Sequence, residues 1–512
     1  MLSKVLSATT YGLDARLIEV EVDFVSSQLP GLLIVGMAEK SIQEAKERVL
    51  SAAKNIGFVF PSKKIIVNMA PAEMPKTGAL FDLSIAVGIL ATGGYVTVDK
   101  EAIFIGELAL DGGLRSINGS IAIADMCRKV GIKRLFLPMQ NAAEAALVPE
   151  VQVFGVQNLN DLLEHLNGNV LIPEYKITLE DYLTDDNFKY ENDFAHIKGQ
   201  AFAKRACEIA AAGGHNILMA GSPGSGKTLI ARTLPSILPR MTFEESLDIT
   251  RIYSISGQLP SETPLMTRRP FRSPHHTSST VALIGGGKIP RPGEVSLAHR
   301  GILFLDEFPE FTIQALEALR QPLEDQKVTV SRISGTITYP ANFMLVAAMN
   351  PCRCGWKGDK VKKCICTQAQ IQMYQKKISG PIMDRIDLQI NVARVEINEL
   401  TQKTELAESS VSIAERVQKA RDIQNERYID SVVISNSDIK QKDMEKYCFL
   451  EEEAENLLKS AANKMMLSAR SYFRIIKVSR TIADLEGSKD IKKIHIAEAL
   501  QYRIMEGDIG EV

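Results

Sequence analysis

Apolar and polar residues alternate along the first part of the chain. Residues 16–23 interleave apolar and acidic side chains, which is the period expected of a half-buried strand. Further apolar runs predict strands at residues 64–68, 102–106 and 133–138. Two longer stretches, residues 41–56 and 121–130, predict helices. Residues 1–170 are therefore expected to form an α+β domain.

Continuous apolar runs take the place of this alternation further along the chain. They occupy residues 216–220, 301–305 and 342–349, and each ends in glycine-rich or polar residues. Strands buried on both faces of a parallel sheet have this composition, and ligands bind beyond their carboxyl ends. Residues 193–398 are therefore expected to form an α/β core, a parallel sheet with flanking helices.

Apolar residues recur at helical spacing after residue 399. One stripe contains Ile413, Val417, Ala420 and Ile423, and two more contain Leu450, Ala454, Leu457, Leu458 and Ala461, and Ile475, Val478, Ile482 and Leu485. Residues 399–512 are expected to form a helical C-terminal lid domain. A polar and acidic stretch, residues 171–192, is predicted to be the linker between the first domain and the α/β core.

Composition is that of a soluble globular protein, and a cytoplasmic location is expected. The 512 residues are 45% hydrophobic and 24% charged, with a net charge of −2, so nucleic acid would have to bind at a local basic lining. The N-terminus has no signal-peptide pattern, and the uncharged stretch between Asp82 and Asp99 is too short and too interrupted to span a membrane. An odd cysteine count with one cluster favours reduced thiols over disulfides.

The run after residue 220 matches the phosphate-binding loop pattern G-x-x-x-x-G-K-[ST] between a strand and a helix. The predicted nucleotide-binding residues are Gly221, Ser222, Pro223, Gly224, Ser225, Gly226, Lys227 and Thr228. The glycines let backbone N–H groups turn toward phosphate oxygens, Lys227 can reach the β- and γ-phosphates, and Thr228 can bind Mg²⁺. ATP and Mg²⁺ are the expected cofactors, and an ordinary glycine-rich turn is the alternative.

Two carboxylates end the second apolar run. Asp306 can hold Mg²⁺, and Glu307 can orient and deprotonate the attacking water. A strand ending in acids could also occur without nucleotide, but the phosphate-binding loop upstream favours hydrolysis.

Four cysteines lie close together, in the order C-x-C, nine residues, C-x-C. Cys352, Cys354, Cys364 and Cys366 predict a structural Zn²⁺ site within an insertion at residues 352–366, and four free thiols are the alternative. The lysines between the pairs and Trp356 suit phosphate contact and base stacking, although a solvated loop explains them nearly as well.

The two nucleotide motifs and the third strand resemble an AAA+ ATPase. That resemblance implies that Asn350, at the end of the third strand, is sensor 1, although it could simply cap the strand. It implies that Arg385 is an arginine finger for the neighbouring subunit's nucleotide, unless it only pairs with Asp384 or Asp387.

The same resemblance implies a sensor 2 arginine in the C-terminal domain. Arg470 matches its position, and Arg474 and Arg480 compete for the role.

The first domain resembles the proteolytic domain of Lon-type proteases, through residues 106–114, residues 131–138 and Asn141. Laid on that family's pattern, the nucleophilic serine falls at about Leu80 and its lysine partner at about Ile117. Without those groups acyl chemistry is not expected, so this Lon-like, S5-like domain is interpreted as a scaffold.

The stretch between the two nucleotide motifs indicates a particular family among the AAA+ ATPases. Residues 268–277, 282–287 and 292–299 are similar to the magnesium-chelatase motor subunit and, over nearly the whole chain, to the YifB/ComM family of chelatase-like ATPases. His275 and His276 lack a third ligand nearby, so a hydrogen-bonding role is favoured over a metal role.

The family carries an insertion and a hairpin that face the pore of a ring. The resemblance implies that Lys288 and Arg291 in the insertion, and Arg332 near the tip of a hairpin at residues 327–339, line such a pore and follow DNA phosphates. A hairpin that only packs on the core is the alternative.

These features together predict an α/β P-loop AAA+ core that follows the Lon-like domain and precedes the helical lid. The expected function is that of a Mg-ATP-dependent homo-oligomeric ring motor, a hexamer, acting on single-stranded or branched DNA. The resemblance implies ComM-like branch migration in recombination or transformation. The alternatives are a chelatase- or chaperone-like ATPase that remodels a protein partner, and a nucleotide-binding switch.

Overall fold

The computed structural model describes residues 2–27, 29–37, 39–74, 76, 78–178, 190–260, 263–287, 290–332, 335–359, 361–395 and 407–503. Its strands are β1 Ser3–Tyr11, β2 Asp14–Val25, β3 Gly31–Val35, β4 Lys64–Ala70, β5 Ala102–Phe104, β6 Glu107–Leu108, β7 Leu114–Arg115, β8 Arg134–Pro138, β9 Gln152–Val156, β10 Ile217–Ala220, β11 Phe271–Arg272, β12 Gly285–Gly286, β13 Arg291–Pro292, β14 Ile302–Leu305, β15 Lys327–Arg332, β16 Gly335–Pro340, β17 Met344–Met349 and β18 Leu388–Asn391.

Its helices are α1 Glu39–Asn55, α2 Asp82–Thr92, α3 Ser120–Val130, α4 Met139–Ala145, α5 Leu159–Leu166, α6 Ala201–Gly213, α7 Lys227–Thr233, α8 Phe243–Ser256, α9 Thr280–Ile284, α10 Glu294–Leu297, α11 Ile313–Ala318, α12 Arg320–Asp325, α13 Gln368–Gln375, α14 Gly380–Met383, α15 Ser410–Arg427, α16 Met444–Tyr447, α17 Glu452–Lys464, α18 Ala469–Leu485 and α19 Lys493–Gln501. Among these described helices, none combines the length and the apolar character needed to cross a membrane.

The first domain is built on a seven-stranded mixed sheet in the order β3-β4-β2-β1-β5-β8-β9. β1 and β2 pair antiparallel, and the alternation at residues 16–23 follows from this, because Ile18, Val20 and Val22 are buried while their neighbours face outward. Helix α2 packs on these two strands so closely that a Cβ on Gly88 would lie 2.6 Å from Val22 Cγ2.

The second sheet has five parallel strands in the order β11-β14-β17-β10-β18. Three of them, β10, β14 and β17, coincide with the continuous apolar runs, and all their residues are buried. The sequence correctly predicted an α/β core with a parallel sheet, a preceding α+β domain and a helical C-terminal region. Because the strands are parallel, their carboxyl ends form one edge of the sheet, here the carboxyl edge, and their amino ends form the amino edge.

The C-terminal helices pack on this core through the predicted stripes. Val417 and Ala420 of α15 and Ile475 and Ile482 of α18 belong to the same buried cluster as Ile217 of β10. The C-terminal helices therefore share a core with the parallel sheet.

The first domain also touches the α/β core directly. Gly119 N donates to Ser254 Oγ at 2.9 Å, and Arg251 pairs with Asp125 at 3.3 Å, so helix α8 docks on the start of α3. Tyr175 belongs to the predicted linker, but its N–H donates to Val153 O of β9 at 2.8 Å. This part of the predicted linker is therefore attached to the first domain.

Candidate nucleotide-binding site

The phosphate-binding loop joins β10 to α7 at the carboxyl edge. Gly224 and Gly226 have φ of +79° and +90°, in the left-handed region that favours glycine. A Cβ on Gly221 would lie 2.4 Å from Val392 O, so the loop passes close to the end of β18. Gly221 N also donates to Met349 O at 3.2 Å, which ties the loop to the end of β17.

Lys227 points back into this loop. Its Nζ donates to Gly221 O at 2.7 Å and to Ser222 O at 3.0 Å, and it lies 3.4 Å from Asn350 Oδ1. Burial lowers the pKa of Lys227 to about 8, against an opposing effect from Asp306. The lysine is therefore held where it could exchange loop carbonyls for phosphate oxygens, next to the predicted sensor.

Thr228 and Asp306 face each other at the same edge. Thr228 Oγ1 donates to Asp306 Oδ2 at 2.9 Å, and Asp306 Oδ1 accepts from Glu307 N at 2.9 Å. A hydroxyl and a carboxylate beside a phosphate site are ligands that Mg²⁺ accepts together with nucleotide oxygens. The oxygen donors of these residues therefore fit the ion.

Glu307 adopts a left-handed backbone conformation, with φ of +51°, directly after β14. Its side chain is 56% exposed, and its Oε2 lies 3.1 Å from His276 Nδ1. His275 bonds within its own turn, through Nδ1 to Thr277 Oγ1 at 2.8 Å. Sequence reasoning did not predict the contact between His276 and Glu307, although the histidine pair between the two nucleotide motifs was a signal for it.

The four clustered cysteines lie beside the phosphate-binding loop. Their sulfur atoms lie within 4.8 Å of one another and could hold a metal ion, with Cys352–Cys354, Cys352–Cys364 and Cys354–Cys364 separations of 3.4, 3.7 and 3.6 Å. A tetrahedral Zn²⁺ with Zn–S bonds of about 2.3 Å requires sulfurs about 3.8 Å apart. Backbone N–H groups of Trp356 and Ile365 lower the pKa of Cys354 to about 6 although burial opposes this.

Arg385 lies at the amino edge, away from the phosphate-binding loop. Its backbone carbonyl accepts from Asn216 Nδ2 at 2.9 Å, and Asn216 directly precedes β10. Strand β10 separates this point from Gly221 by about 16 Å. The buried guanidinium of Arg385 pairs with Glu324 of α12 rather than with its neighbours Asp384 or Asp387.

The three arginines considered for sensor 2 differ in their surroundings. Arg480 is buried and pairs with Asp484, and Arg474 pairs with the buried Asp387. Arg470 is 60% exposed and lies 3.9 Å from Glu324, the partner of Arg385. Arg470 therefore belongs to the amino edge beside Arg385 and not to the phosphate-binding loop of its own chain.

The predicted pore residues meet on one surface where they are described. Arg291 is exposed and pairs through its backbone with Gly286, and a Cβ on Gly286 would lie 3.0 Å from the guanidinium of the exposed Arg332. Lys288 lies outside the described residues. Hairpin β15–β16 also packs on the first domain, since a Cβ on Gly12 would lie 2.6 Å from Ile337 Cγ2.

The phosphate-binding loop follows β10, Asp306 and Glu307 follow β14, and Asn350 follows β17, which lies between those two strands. This arrangement defines an ATPase core of the AAA+ class. The chain belongs to the ComM/YifB family of magnesium-chelatase-like ATPases. A family model described as magnesium chelatase, subunit ChlI, matches residues 193–400. Two further models match on either side: subunit ChlI of Mg-chelatase at residues 20–141, and the ChlI C-terminal region at residues 407–503.

Relatives align over almost the entire chain. Competence protein ComM of Haemophilus influenzae is 42% identical over 98% of this chain and 98% of its own length. A Salmonella typhimurium protein, YifB, is 39% identical over 97% of this chain and 96% of its own length. A Lon protease of Mycoplasmopsis agalactiae is 24% identical over 29% of this chain and 16% of the protease. The predicted family is confirmed across the whole chain, and the Lon match supports a Lon-like domain.

Proposed function

We propose that this protein is a Mg-ATP-dependent ring motor that acts on DNA and cleaves ATP at the seam between adjacent protomers. The observation that carries the proposal is the separation of the site into two edges. The carboxyl edge presents Lys227, Asp306 and Glu307, whereas Arg385 and Arg470 belong to the opposite edge of the same sheet. A ring in which one protomer's amino edge meets the next protomer's carboxyl edge completes each site.

Each residue then has a defined task. The loop N–H groups and Lys227 hold the β- and γ-phosphates, and Thr228 and Asp306 hold Mg²⁺, which neutralises charge on the phosphate oxygens. Glu307 leaves His276 and accepts a proton from the attacking water, while Asn350 positions that water.

The partner protomer supplies positive charge. Arg385, leaving Glu324, stabilises the charge that develops on the transferred phosphoryl group, an effect worth about 10³ to 10⁵ in rate in the best cases. Arg470, exposed beside it, contacts the same nucleotide as sensor 2.

DNA is the proposed substrate of the motor. Arg291 and Arg332 are exposed and adjacent, which suits contact with successive phosphates, and a full-length relative is named a competence protein. We infer ComM-like branch migration of joint molecules by a hexamer in the cytoplasm. The chelatase family match leaves remodelling of a protein partner as the second candidate.

ATP turnover with and without single-stranded, forked and four-way DNA tests the function. We expect stimulation by branched DNA that weakens steeply with salt, strand displacement on forked substrates, and a nucleotide-dependent rise in mass to that of a ring. Glu307→Gln should reduce turnover at least about a hundredfold while retaining nucleotide binding. Turnover indifferent to DNA, without binding at low salt, contradicts the proposal, and stimulation by a protein alone selects the second candidate.

We also propose that the cysteine cluster binds a structural Zn²⁺ ion. The three sulfur separations among Cys352, Cys354 and Cys364 are close to the edges of a zinc-centred tetrahedron, and the sulfur of Cys366 lies within 4.8 Å of these three. The other cysteines, Cys127, Cys207 and Cys448, are buried and free. Reduced thiols throughout fit the cytoplasm.

A further inference from the structure

The loop that carries the clustered cysteines lies directly on the nucleotide-binding loop. We propose that the metal ion held by Cys352, Cys354, Cys364 and Cys366 braces the phosphate-binding loop, so that ATP affinity depends on metal occupancy. This inference rests on the zinc site proposed above and gives that site a role in nucleotide binding.

The closest contact joins Gly355 to Pro223. Gly355 follows Cys354 and has φ of +84°, and a Cβ there would lie 2.7 Å from both Pro223 Cδ and Pro223 Cγ. The same Cβ would lie 3.8 Å from Asn350 Cγ. The turn that begins at Cys352 and Cys354 therefore packs against the phosphate-binding loop and against Asn350, the predicted sensor.

A second contact is polar. The backbone N–H groups of Lys362 and Val361 and the neighbouring Ser222 side chain lower the pKa of Asp359, and Asp359 Oδ1 accepts from Val361 N at 2.9 Å and Lys362 N at 2.8 Å. Asp359 lies between the two cysteine pairs. The segment that the thiols enclose is thus attached to the loop at two adjacent residues, Ser222 and Pro223.

Apolar packing contributes little to the position of this segment. Val361 and Ile365 are 74% and 86% exposed, and of the cluster only Cys352 is fully buried. Outside the cluster, Gln375 Nε2 holds the start of the segment through Pro351 O at 2.9 Å. A loop with so small a core needs metal coordination to hold one conformation, because binding free energy of the ion becomes folding free energy of the loop.

Loss of the metal should therefore act on ATP binding through the loop. When the enclosed segment is released, the phosphate-binding loop loses its contacts at Ser222 and Pro223 and spends less time in the conformation that binds phosphate. Apparent affinity falls in proportion to the competent fraction, so a tenfold smaller fraction gives a dissociation constant about tenfold higher.

Metal content and nucleotide affinity, measured on the full chain, test the inference. Bound zinc is measured by elemental analysis, and the Kd is measured for a fluorescent ATP analogue. We expect about one zinc per chain in the unmodified protein. Cys366→Ser should lose zinc and raise the Kd about tenfold or more, whereas Cys127→Ser, in the first domain, should alter neither. Chelation of the unmodified protein should raise the Kd likewise, and added Zn²⁺ should restore it.

A second variant separates the contact from the ligands. Gly355→Ala keeps all four thiols, but its methyl group meets Pro223, so we expect zinc to remain and the Kd to rise. Gly168→Ala is the matched control, since Gly168 has φ of +76° and no atom within 4 Å of an added Cβ.

The outcomes distinguish the two proposals. Zinc lost with an unchanged Kd overturns the coupling and leaves the zinc site standing. Absence of zinc from the unmodified protein overturns both zinc proposals but leaves the ATPase untouched. An equal rise in Kd for Cys366→Ser and Cys127→Ser, or for Gly355→Ala and Gly168→Ala, overturns the coupling in favour of general destabilisation. Failure of the unmodified, zinc-loaded protein to bind nucleotide contradicts the proposed function instead.

Discussion

Lys227 has a pKa of about 8, close to neutral pH, and this predicts that nucleotide binding depends on pH. Burial lowers that pKa to about 8, so the ammonium of the nucleotide-free protein loses its proton as the pH rises through that value. Only the charged form attracts phosphate, so binding above pH 8 must take up a proton. We expect the Kd for an ATP analogue to be flat below about pH 7 and to rise up to about tenfold per pH unit above pH 8.

Lys227→Arg is the control for this pH dependence, because a guanidinium stays charged over the whole range. Its affinity is expected to be lower at pH 7, since the loop fits an ammonium, but nearly independent of pH. Calorimetry in two buffers of different ionisation enthalpy measures the proton uptake directly. An equally steep pH profile in the arginine variant would assign the titration to another group.

Arg470 and Arg474 stand one helical turn apart and should respond differently to loss of charge. Burial alone would raise the pKa of Asp387, but Arg474, His215 and Lys477 hold it well below its usual range. Arg474→Met leaves that buried carboxylate short of its main partner, and we expect a loss of about 3 kcal/mol in the free energy of unfolding.

Arg470→Met removes an exposed side chain, so stability should stay within about 0.5 kcal/mol while ATP turnover falls. Chemical denaturation and turnover, measured on both variants, separate the structural arginine from the catalytic one. Loss of turnover without loss of stability in Arg474→Met would reverse the assignment.

Residues that belong to a motif or end an apolar strand were predictable at this scale, and ion pairs between loops were not. Lys227, Thr228 and Asp306 follow from a fixed motif and from the end of an apolar strand. The pairs His276–Glu307 and Glu324–Arg385 join residues on separate elements, and their partners depend on how loops cross the sheet edges. No periodicity in the sequence encodes such a crossing.

Strands and helices were predicted where burial imposes a pattern. β10, β14 and β17 are buried on both faces and therefore appear as continuous apolar runs. Hairpin β15–β16 alternates because Val328, Val330, Ile337 and Tyr339 face the core while the intervening residues are exposed. Its contact with Gly12, in the turn between β1 and β2, lies between domains and left no such pattern.

The hairpin supplies a test of the DNA proposal at the scale of the element. Arg332 is exposed at its tip, and Lys327 is exposed at its base. Arg332→Ala should weaken DNA binding across sequences and reduce the slope of log affinity against log salt by about 1, as expected for one lost phosphate contact. Lys327→Ala, which removes the same charge away from the tip, should change neither. Equal effects of both variants would mean that only net charge matters.

Resemblance over nearly the whole chain predicted the family, whereas the arrangement of the two edges came only from the structure. Parallel strands bring Lys227, Asp306 and Asn350 to one edge because each follows a strand end. Arg385 precedes β18, so the same topology sends it to the opposite edge. A single protomer therefore cannot bring its own Arg385 to its own phosphate-binding loop without unfolding part of the sheet.

Mixing two inactive protomers tests this division across the whole assembly. Lys227→Ala disables the carboxyl edge, and Arg385→Ala disables the amino edge. Arg385→Ala leaves Glu324 without this partner, but the Glu324 side chain is 55% exposed and therefore remains hydrated. In a ring of head-to-tail contacts, an equal mixture should form intact seams at about one position in four and recover about a quarter of the unmodified turnover. A mixture of Lys227→Ala with Glu307→Gln is the matched control, because both defects lie on the carboxyl edge and no seam can receive both groups intact. Recovery in the first mixture alone is expected. No recovery in either mixture, with all protomers monomeric at saturating nucleotide, would contradict shared sites.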